Sequence, residues 1–221
     1  MYRDMTTVAI IPAYNEEAHI AQVIAETMQF VQHVLVVDDG SRDLTQKRAE
    51  AAGAIVLHHA VNMGKGIALK TGFEAAQQLN PDVIITIDGD GQHDPKEIPR
   101  FIGAMKYADI IIGERQLNRD MPLVFKIGNF VLHKAFLLLF GASIHDTQSG
   151  YRAFKRDIYG KIRWDSNGYS VETEMLIKAI KNGLVCREIP VKTVYLNAVK
   201  GTTIIDGVKI FLDMLLWKLK G

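Results

Sequence analysis

The sequence predicts an α/β protein: a mainly parallel, twisted sheet with helices on both faces, followed by a C-terminal amphipathic helix. Three observations point there. Four short runs of β-formers between Val8 and Ile87 alternate with segments of helical period. Connections of that length favour right-handed crossovers between parallel strands. Three of the four strand ends carry Tyr14-Asn-Glu16, Asp38-Asp-Gly-Ser41 and Asp88 to Gln92 in place of plain turn residues. Ligands of such sheets bind beyond the carboxyl ends of the strands, so these stretches are expected to meet at one edge.

In chain order, a strand at Val8 to Ile11 leads to a helix from about Glu17 to Gln29. A strand at Val34 to Val37 leads to a helix from about Asp43 to Ala52, and a short strand at Ile55 to Leu57 to a helix from about Gly66 to Gln78. The run Val83 to Ile87 then ends at Asp88. Asp94 as N-cap and Pro95 at the first helical position start a helix that turns Ile98, Phe101, Ile102 and Met105 to the core. Ile110 to Ile112 reads as a buried strand ending in Gly113-Glu-Arg115. The second half is less regular: an apolar segment from Pro122 to Phe140, a helix capped by Ser170, a strand through Val185 to Val194, and a terminal helix from about Ile204 to Leu219.

At 221 residues without a Pro/Ser-rich linker, the chain is expected to form one domain spanning 1–221. A formal net charge of +1 argues against a nucleic-acid binder, which would carry a strongly basic face. The one cysteine, Cys186, has no Cys or His spacing for zinc and reads as a small buried hydrophobe. The polar start Met-Tyr-Arg-Asp before Val8 does not read as a signal peptide, which points to a cytoplasmic protein.

The most informative stretch is Asp88-Gly-Asp-Gly-Gln-His-Asp94. Two carboxylates spaced i, i+2 at a strand end share a side and can reach one hard cation, while Gly89 and Gly91 let diphosphate oxygens approach the backbone. Mg²⁺ or Mn²⁺ takes one or two protein carboxylates and completes its shell with substrate phosphate and water. The rival, a calcium loop, fails because His93 replaces its glycine and Pro99 stands where its bidentate Glu belongs.

Other pieces are weaker alone. Asp38 and Asp39 close the second strand; one can accept from ribose or base while the other holds the turn, and both as plain turn formers is the alternative. Pro12-Ala-Tyr-Asn-Glu-Glu17 offers an aromatic face and Glu16 as acceptor. Asn62-Met-Gly-Lys-Gly66 opens a helix in a geometry that favours anions through free N–H groups. Leu69 stands where a P-loop or a dinucleotide fingerprint needs glycine, so ATPase and dehydrogenase readings lose support.

Taken together and in order, Ile11-Pro-Ala-Tyr-Asn-Glu-Glu17, Val37-Asp-Asp-Gly-Ser41, Asn62-x-Gly-x-Gly66, Asp88-x-Asp-x-Gln-His-Asp-Pro95, Gly113-x-Arg115 and Asp146-Thr-Gln-Ser-Gly-Tyr-Arg152 resemble a known family. They are similar to the inverting family 2 glycosyltransferases of GT-A fold, a Rossmann-like architecture. The match is closest to the dolichyl-phosphate mannose synthase-like polyprenyl-phosphate sugar transferases, and it covers roughly residues 7 to 200.

The resemblance implies that Pro12, Tyr14, Glu16, Val37 and Asp39 line the nucleotide pocket, with Lys65, Asp88, Gly89 and Lys200 also contacting the nucleotide sugar. Asp88, Asp90 and Gln92 would hold the Mg²⁺ or Mn²⁺. Asp90, Arg115, Glu172 and Glu174 would serve catalysis: Arg115 near the donor diphosphate or acceptor phosphate, the two glutamates near the sugar or ordering the acceptor loop. Relatives tend to carry arginine near Lys126 and an Arg before a Gly-x-Ser-Lys stretch, where this chain has Val199-Lys-Gly-Thr-Thr203. A lysine there offers a point charge and no bidentate fork.

The expected activity is transfer of a hexose-type unit from a nucleoside-diphosphate sugar to a polyprenyl phosphate. A phosphate monoester is already anionic and needs no general base, whereas a hydroxyl acceptor does. The Gln-x-x-Arg-Trp of hydroxyl-using synthases is not matched by Gln148-Ser-Gly-Tyr-Arg152, although Glu172 or Asp146 could act as base. The rivals are a hydroxyl-acceptor transferase, a nucleotidyltransferase and a non-catalytic nucleotide-sugar-binding module.

Residues 122–140 are apolar apart from a few polar positions, Lys126, Asn129 and His133 lying on one stripe, and fall short of the ~20 apolar residues that span a bilayer. His133 reads as part of that polar stripe and not as a ligand. The terminal helix sets Ile205, Val208, Phe211, Leu212, Leu215, Leu216 and Leu219 opposite Asp206, Lys209, Asp213 and Lys220. Residues 122–140 and 204–219 are therefore candidates for helices that lie at a membrane interface or pack on the core. The partners expected are the two substrates and a membrane surface on the cytoplasmic side, with a second copy of the chain as a further candidate and no nucleic acid.

Overall fold

Among the described residues, seven strands form one sheet in the order β3-β2-β1-β4-β6-β5-β7. The computed structural model describes residues 5–115, 123–192 and 203–220. The strands are β1 (Thr7–Ala13), β2 (His33–Asp38), β3 (Ile55–His58), β4 (Val83–Thr86), β5 (Ile110–Arg115), β6 (Arg152–Lys155) and β7 (Cys186–Val191). The helices are α1 (Ile20–Thr27), α2 (Thr45–Ala51), α3 (Lys65–Gln78), α4 (Ile98–Ala104), α5 (Leu123–Phe140), α6 (Tyr159–Ile162), α7 (Val171–Lys181) and α8 (Ile204–Leu219). The expected α/β architecture and C-terminal amphipathic helix are both present.

Strand β1 pairs in parallel with β2 and β4, β2 with β3, and β5 with β7. Because β1 to β4 are parallel, their carboxyl ends share an edge, with Pro12 opposite Val37 and Ala13 opposite Asp38. Side-chain alternation along β1 divides the core between the two faces. Val8 and Ile10 join Leu35, Phe73, Ile84 and Phe154 under α3 and α7, while Ala9 and Ile11 join Val34, Val36, Ile85 and Phe101 against α1 and α4. Phe73 is the hub of the first face, its ring 5.2 Å from those of Phe154 and Tyr159 and 5.4 Å from Trp164. Truncating such a buried ring to alanine costs about 3–5 kcal/mol.

Several details depart from the sequence expectation. The four-residue strand β6 was not anticipated; it runs antiparallel to both β4 and β5 and joins the two parallel halves of the sheet. Strand β4 stops at Thr86, so Asp88 lies beyond it and Gly89-Asp90 forms a turn. The two carboxylates are therefore presented by a turn, and strand alternation does not place them. Asp94 does cap, accepting from the Lys96 N–H, but Pro95–Glu97 forms a 3₁₀ turn before α4 begins. Ser170 occupies the N-cap position of α7 without capping it; its hydroxyl donates instead to Asp213 Oδ2 of α8 at 2.6 Å.

Helices α5 and α8 pack on each other and reach the core through Leu132, Ala135, Phe136, Ile210 and Met214. The apolar stripe expected to define α8 is mostly outside this contact: Ile205, Val208, Leu212, Leu215, Leu216 and Leu219 are exposed. No described helix is long and apolar enough to cross a membrane.

Candidate active site

The carboxyl edge of β1, β2 and β4 is built from turns that latch onto one another. Asn15, in the left-handed region at φ 55°, receives a hydrogen bond from the Arg42 N–H at its Oδ1 and donates its own N–H to Ser41 Oγ. The Glu16 N–H donates to Thr45 Oγ1 at 2.8 Å. These bonds tie the exit of β1 to that of β2 and leave Tyr14 41% exposed at the surface of the edge, above the buried Glu16 and Val37.

Asp39 is buried, and its carboxylate accepts from the N–H groups of Met63 and Gly64 at 2.9 and 2.8 Å and lies 2.7 Å from His59 Nδ1. Asp38 is likewise engaged, by the Ser41 N–H and by His58 Nδ1 at 3.0 Å. The turn before α3 was expected to offer free N–H groups to a ligand anion. Two of them are already taken by Asp39, and Gly66 N–H donates to Asn167 O at 2.7 Å. The glycines serve a different need: a Cβ at Gly66 would lie 2.0 Å from Ser166 O, and one at Gly64 2.4 Å from Asn167 O. Trp164 Nε1 donates to Gly66 O at 2.8 Å and completes the contact between the two loops.

This clamp fixes Lys65, the first residue of α3. Its ammonium lies 2.7 Å from Asp88 Oδ1 and 2.8 Å from Glu172 Oε1. Burial opposes the charge on Lys65, but the two carboxylates override it and push its pKa up. Burial likewise opposes ionisation of Asp88, and Lys65 together with His93 overrides it, holding the carboxyl well below the usual range. Asp90 moves the other way. Burial, and then the Asp88 charge, raise its pKa, although the Gln92 N–H donates to its Oδ1 at 3.0 Å. A carboxylate disfavoured in this way gains from a nearby cation, and the oxygen donors of Asp88 and Asp90 suit a hard divalent ion.

Glu172 is buried; the Lys65 ammonium, 2.8 Å from its Oε1, is its counter-charge, and its Oε2 has no hydrogen-bond partner among the described residues. Glu174, two residues on, is spatially separate in its contacts. Its carboxylate accepts from the N–H groups of Asp165 and Ser166 and from Ser166 Oγ, and pairs with Lys178 at 2.8 Å. It thereby holds the loop that packs on Gly64 and Gly66. Arg115 at the end of β5 forms a two-pronged pair with Asp146, Nε to Oδ2 at 2.6 Å and Nη2 to Oδ1 at 2.8 Å. Burial opposes the Asp146 charge, but Arg115 outweighs it and lowers the carboxyl pKa.

Two features of the floor were not read from the sequence. A Cβ at Gly150 would lie 2.6 Å from Asp88 Oδ2 and 2.9 Å from Lys65 Nζ, so the main chain of the Asp146 to Arg152 segment lies directly against the ion pair. Arg152 is 1% exposed and donates to the main-chain oxygens of Ser149, Thr147 and Glu172 at 2.7–2.8 Å. Both residues lie in the Asp146-Thr-Gln-Ser-Gly-Tyr-Arg152 stretch, which the sequence singles out without assigning them these roles. Lys200 lies outside the described residues.

A separate group, Glu114, His145 and Glu188, has ligand atoms within 4.8 Å of one another. His133, expected to stand alone, donates through its Nδ1–H to Ile144 O at 2.8 Å and stacks on the His145 ring at 4.7 Å.

Residues 8–163 match the family described as glycosyl transferase family 2. The chain is 34% identical over 238 residues to the UDP-N-acetylglucosamine–dolichyl-phosphate N-acetylglucosaminyltransferase of Methanococcus voltae, covering 95% of each chain. It is 32% identical over 203 residues to the polyprenol monophosphomannose synthase of Mycolicibacterium smegmatis, covering 84% of this chain and 76% of that one. Among solved structures, glucosyl-3-phosphoglycerate synthase from Mycobacterium tuberculosis, in complex with Mn²⁺, uridine diphosphate and phosphoglyceric acid, superposes with a TM-score of 0.78 at 21% identity. It covers 97% of this chain and 78% of that one. This last likeness shows the GT-A fold.

Proposed function

The chain belongs to glycosyl transferase family 2, and from that membership we propose that it is a metal-dependent, inverting hexosyltransferase. It moves one sugar from a nucleoside-diphosphate sugar to a polyprenyl phosphate of dolichyl or undecaprenyl type. The observation that carries this reading is the convergence of Asp88, Asp90, Lys65 and Glu172 at the carboxyl edge of the sheet. Relatives named for dolichyl- and polyprenol-phosphate acceptors support the acceptor class.

In this reading Pro12, Tyr14, Glu16, Val37 and Asp39 line the nucleotide side, with Gly89 allowing the diphosphate close to the main chain. Asp88, Asp90 and Gln92 hold Mg²⁺ or Mn²⁺, which when bound supplies positive charge for the leaving diphosphate. Lys65 adds an ammonium beside the same oxygens. Arg115, oriented by Asp146, faces the phosphate groups, and Lys200 contributes to the nucleotide-sugar side. Glu172 stands at the sugar, and Glu174 orders the loop beneath it. A lipid phosphate oxygen forms a bond to the anomeric carbon as the bond from that carbon to the diphosphate oxygen breaks. The bonding pair leaves with the nucleoside diphosphate, and the configuration inverts. The acceptor is already anionic, so no proton has to be removed.

The same reading treats residues 1–221 as one catalytic domain lying peripherally on the cytoplasmic face of a membrane. Its support is the exposed apolar surface of α5 and α8, which includes Phe130, Leu138, Ile205 and Leu216; large exposed apolar patches mark interaction surfaces. Mass spectrometry of lipid products formed from a panel of guanosine and uridine diphosphate sugars tests the assignment. Glycosylated polyprenyl phosphate is expected. Glycosylation of a free hydroxyl acceptor with polyprenyl phosphate ignored would replace it by the hydroxyl-transferase reading.

A further inference from the structure

Lys65 occupies an unusual position for a residue of the donor side. Its side chain is 19% exposed, and its ammonium contacts both Asp88, at 2.7 Å, and Glu172, at 2.8 Å. The carboxylate on which a divalent ion would sit is thus already neutralised by the chain itself. An ion bound at Asp88 would lie within a few ångströms of this ammonium, and like charges at that range repel strongly inside a protein. The main chain at Lys65 cannot relieve this, because Gly64 N–H is held by Asp39 and Gly66 N–H by Asn167 O. The side chain can: four methylenes allow it to swing, and an ammonium has three N–H donors, of which Asp88 and Glu172 use two.

We propose that Lys65 is the built-in counter-ion of the metal seat: with no donor present it holds Asp88, and an incoming diphosphate draws it away and opens Asp88 to the metal. Metal and nucleotide sugar then bind as a coupled pair, and the enzyme without donor is guarded against idle metal loading. Glu172 gives Lys65 its second anchor, so the ammonium stays in the site after leaving Asp88. The inference rests on the reading of Asp88 and Asp90 as metal ligands.

Titration of Mn²⁺ alone, followed by the electron paramagnetic resonance of the free ion, tests it on wild type, Lys65→Met, Lys65→Gln and Lys65→Arg. Circular dichroism establishes that each variant is folded. Removing the charge in Lys65→Met, or in Lys65→Gln should the former not fold, is expected to tighten nucleotide-free Mn²⁺ binding by at least about tenfold. Lys65→Arg, which keeps the charge, is expected to stay near wild type. Unchanged or weaker Mn²⁺ binding in the folded neutral variants overturns the counter-ion role. If wild type binds Mn²⁺ in the presence of uridine or guanosine diphosphate while the neutral variants gain nothing without it, only this inference fails. If no protein takes up Mn²⁺ under any condition, the metal reading fails with it.

Discussion

Arg152 donates to the main-chain oxygen of Glu172 at 2.7 Å, and its guanidinium has no carboxylate within ion-pair distance among the described residues. Its other bonds go to Thr147 and Ser149 oxygens. A buried cation is thus used to join the segment under Asp88 to the first turn of α7, which carries Glu172.

Arg152→Met is expected to leave the buried Thr147 and Ser149 oxygens unsatisfied, to remove the second bond on Glu172 O, and to lower stability by about 3 kcal/mol or more. Urea unfolding of the variant measures this. Arg152→Lys should recover only part of the loss, since one ammonium cannot span the same three oxygens; a variant as stable as wild type would show the carbonyls are satisfied otherwise.

Gly66→Ala gives a test of sign. In an exposed helix the change would stabilise by up to about 1 kcal/mol. Here the new Cβ would meet the main-chain oxygen of Ser166 at 2.0 Å, so a loss of about 2 kcal/mol is expected. Gly168→Ala, with nothing within 4 Å of its Cβ, should change stability by less than about 0.5 kcal/mol. Thermal melts of the pair decide the point.

The Arg115–Asp146 pair predicts a pH dependence. The folded pKa of Asp146 is depressed, so the folded state holds this proton more weakly than the unfolded chain. The pair's stabilisation is complete above the unfolded value of about 4 and is lost as pH falls from there through the lower folded value. Asp146→Asn is expected to be less stable than wild type at pH 6, with the difference shrinking as pH is lowered below 4 in urea melts. A difference that stays constant with pH would remove the ionic contribution.

The exposed face of α8 predicts vesicle binding. The double change Ile205→Glu and Leu216→Glu alters side chains that are 80% and 52% exposed, so folding should be unaffected. Co-sedimentation with anionic phospholipid vesicles is expected to fall by about tenfold. Equal sedimentation of variant and wild type would turn attention to a second copy of the chain as the partner of this face.

Much of this was legible in advance because the buried parallel strands are runs of branched apolar residues with sharp polar ends. Val34 to Val37 and Val83 to Ile87 fall within a residue or two of β2 and β4. Strand β6 was hidden by its length of four residues and by Arg152 and Lys155 at its ends; only the buried bonding of the guanidinium makes a strand there reasonable. The Asp88 and Asp90 pair was found by spacing, but the reason given, strand alternation, does not hold past Thr86. The Lys65 ion pairs join residues far apart in sequence, and no local period reports them. Asp39 and Glu174 show the same limit: composition marks them as polar, while their commitment to main-chain N–H groups is a tertiary fact.

The central claim is that Asp88 and Asp90 hold one divalent ion against the donor's diphosphate. Anomalous diffraction from crystals grown with Mn²⁺ and a nucleoside-diphosphate sugar tests it directly. The account predicts an anomalous peak between the two carboxylates and the diphosphate oxygens, absent in Asp90→Asn. A peak only at Glu114, His145 and Glu188, with Asp88 still on Lys65 and donor bound, would contradict it.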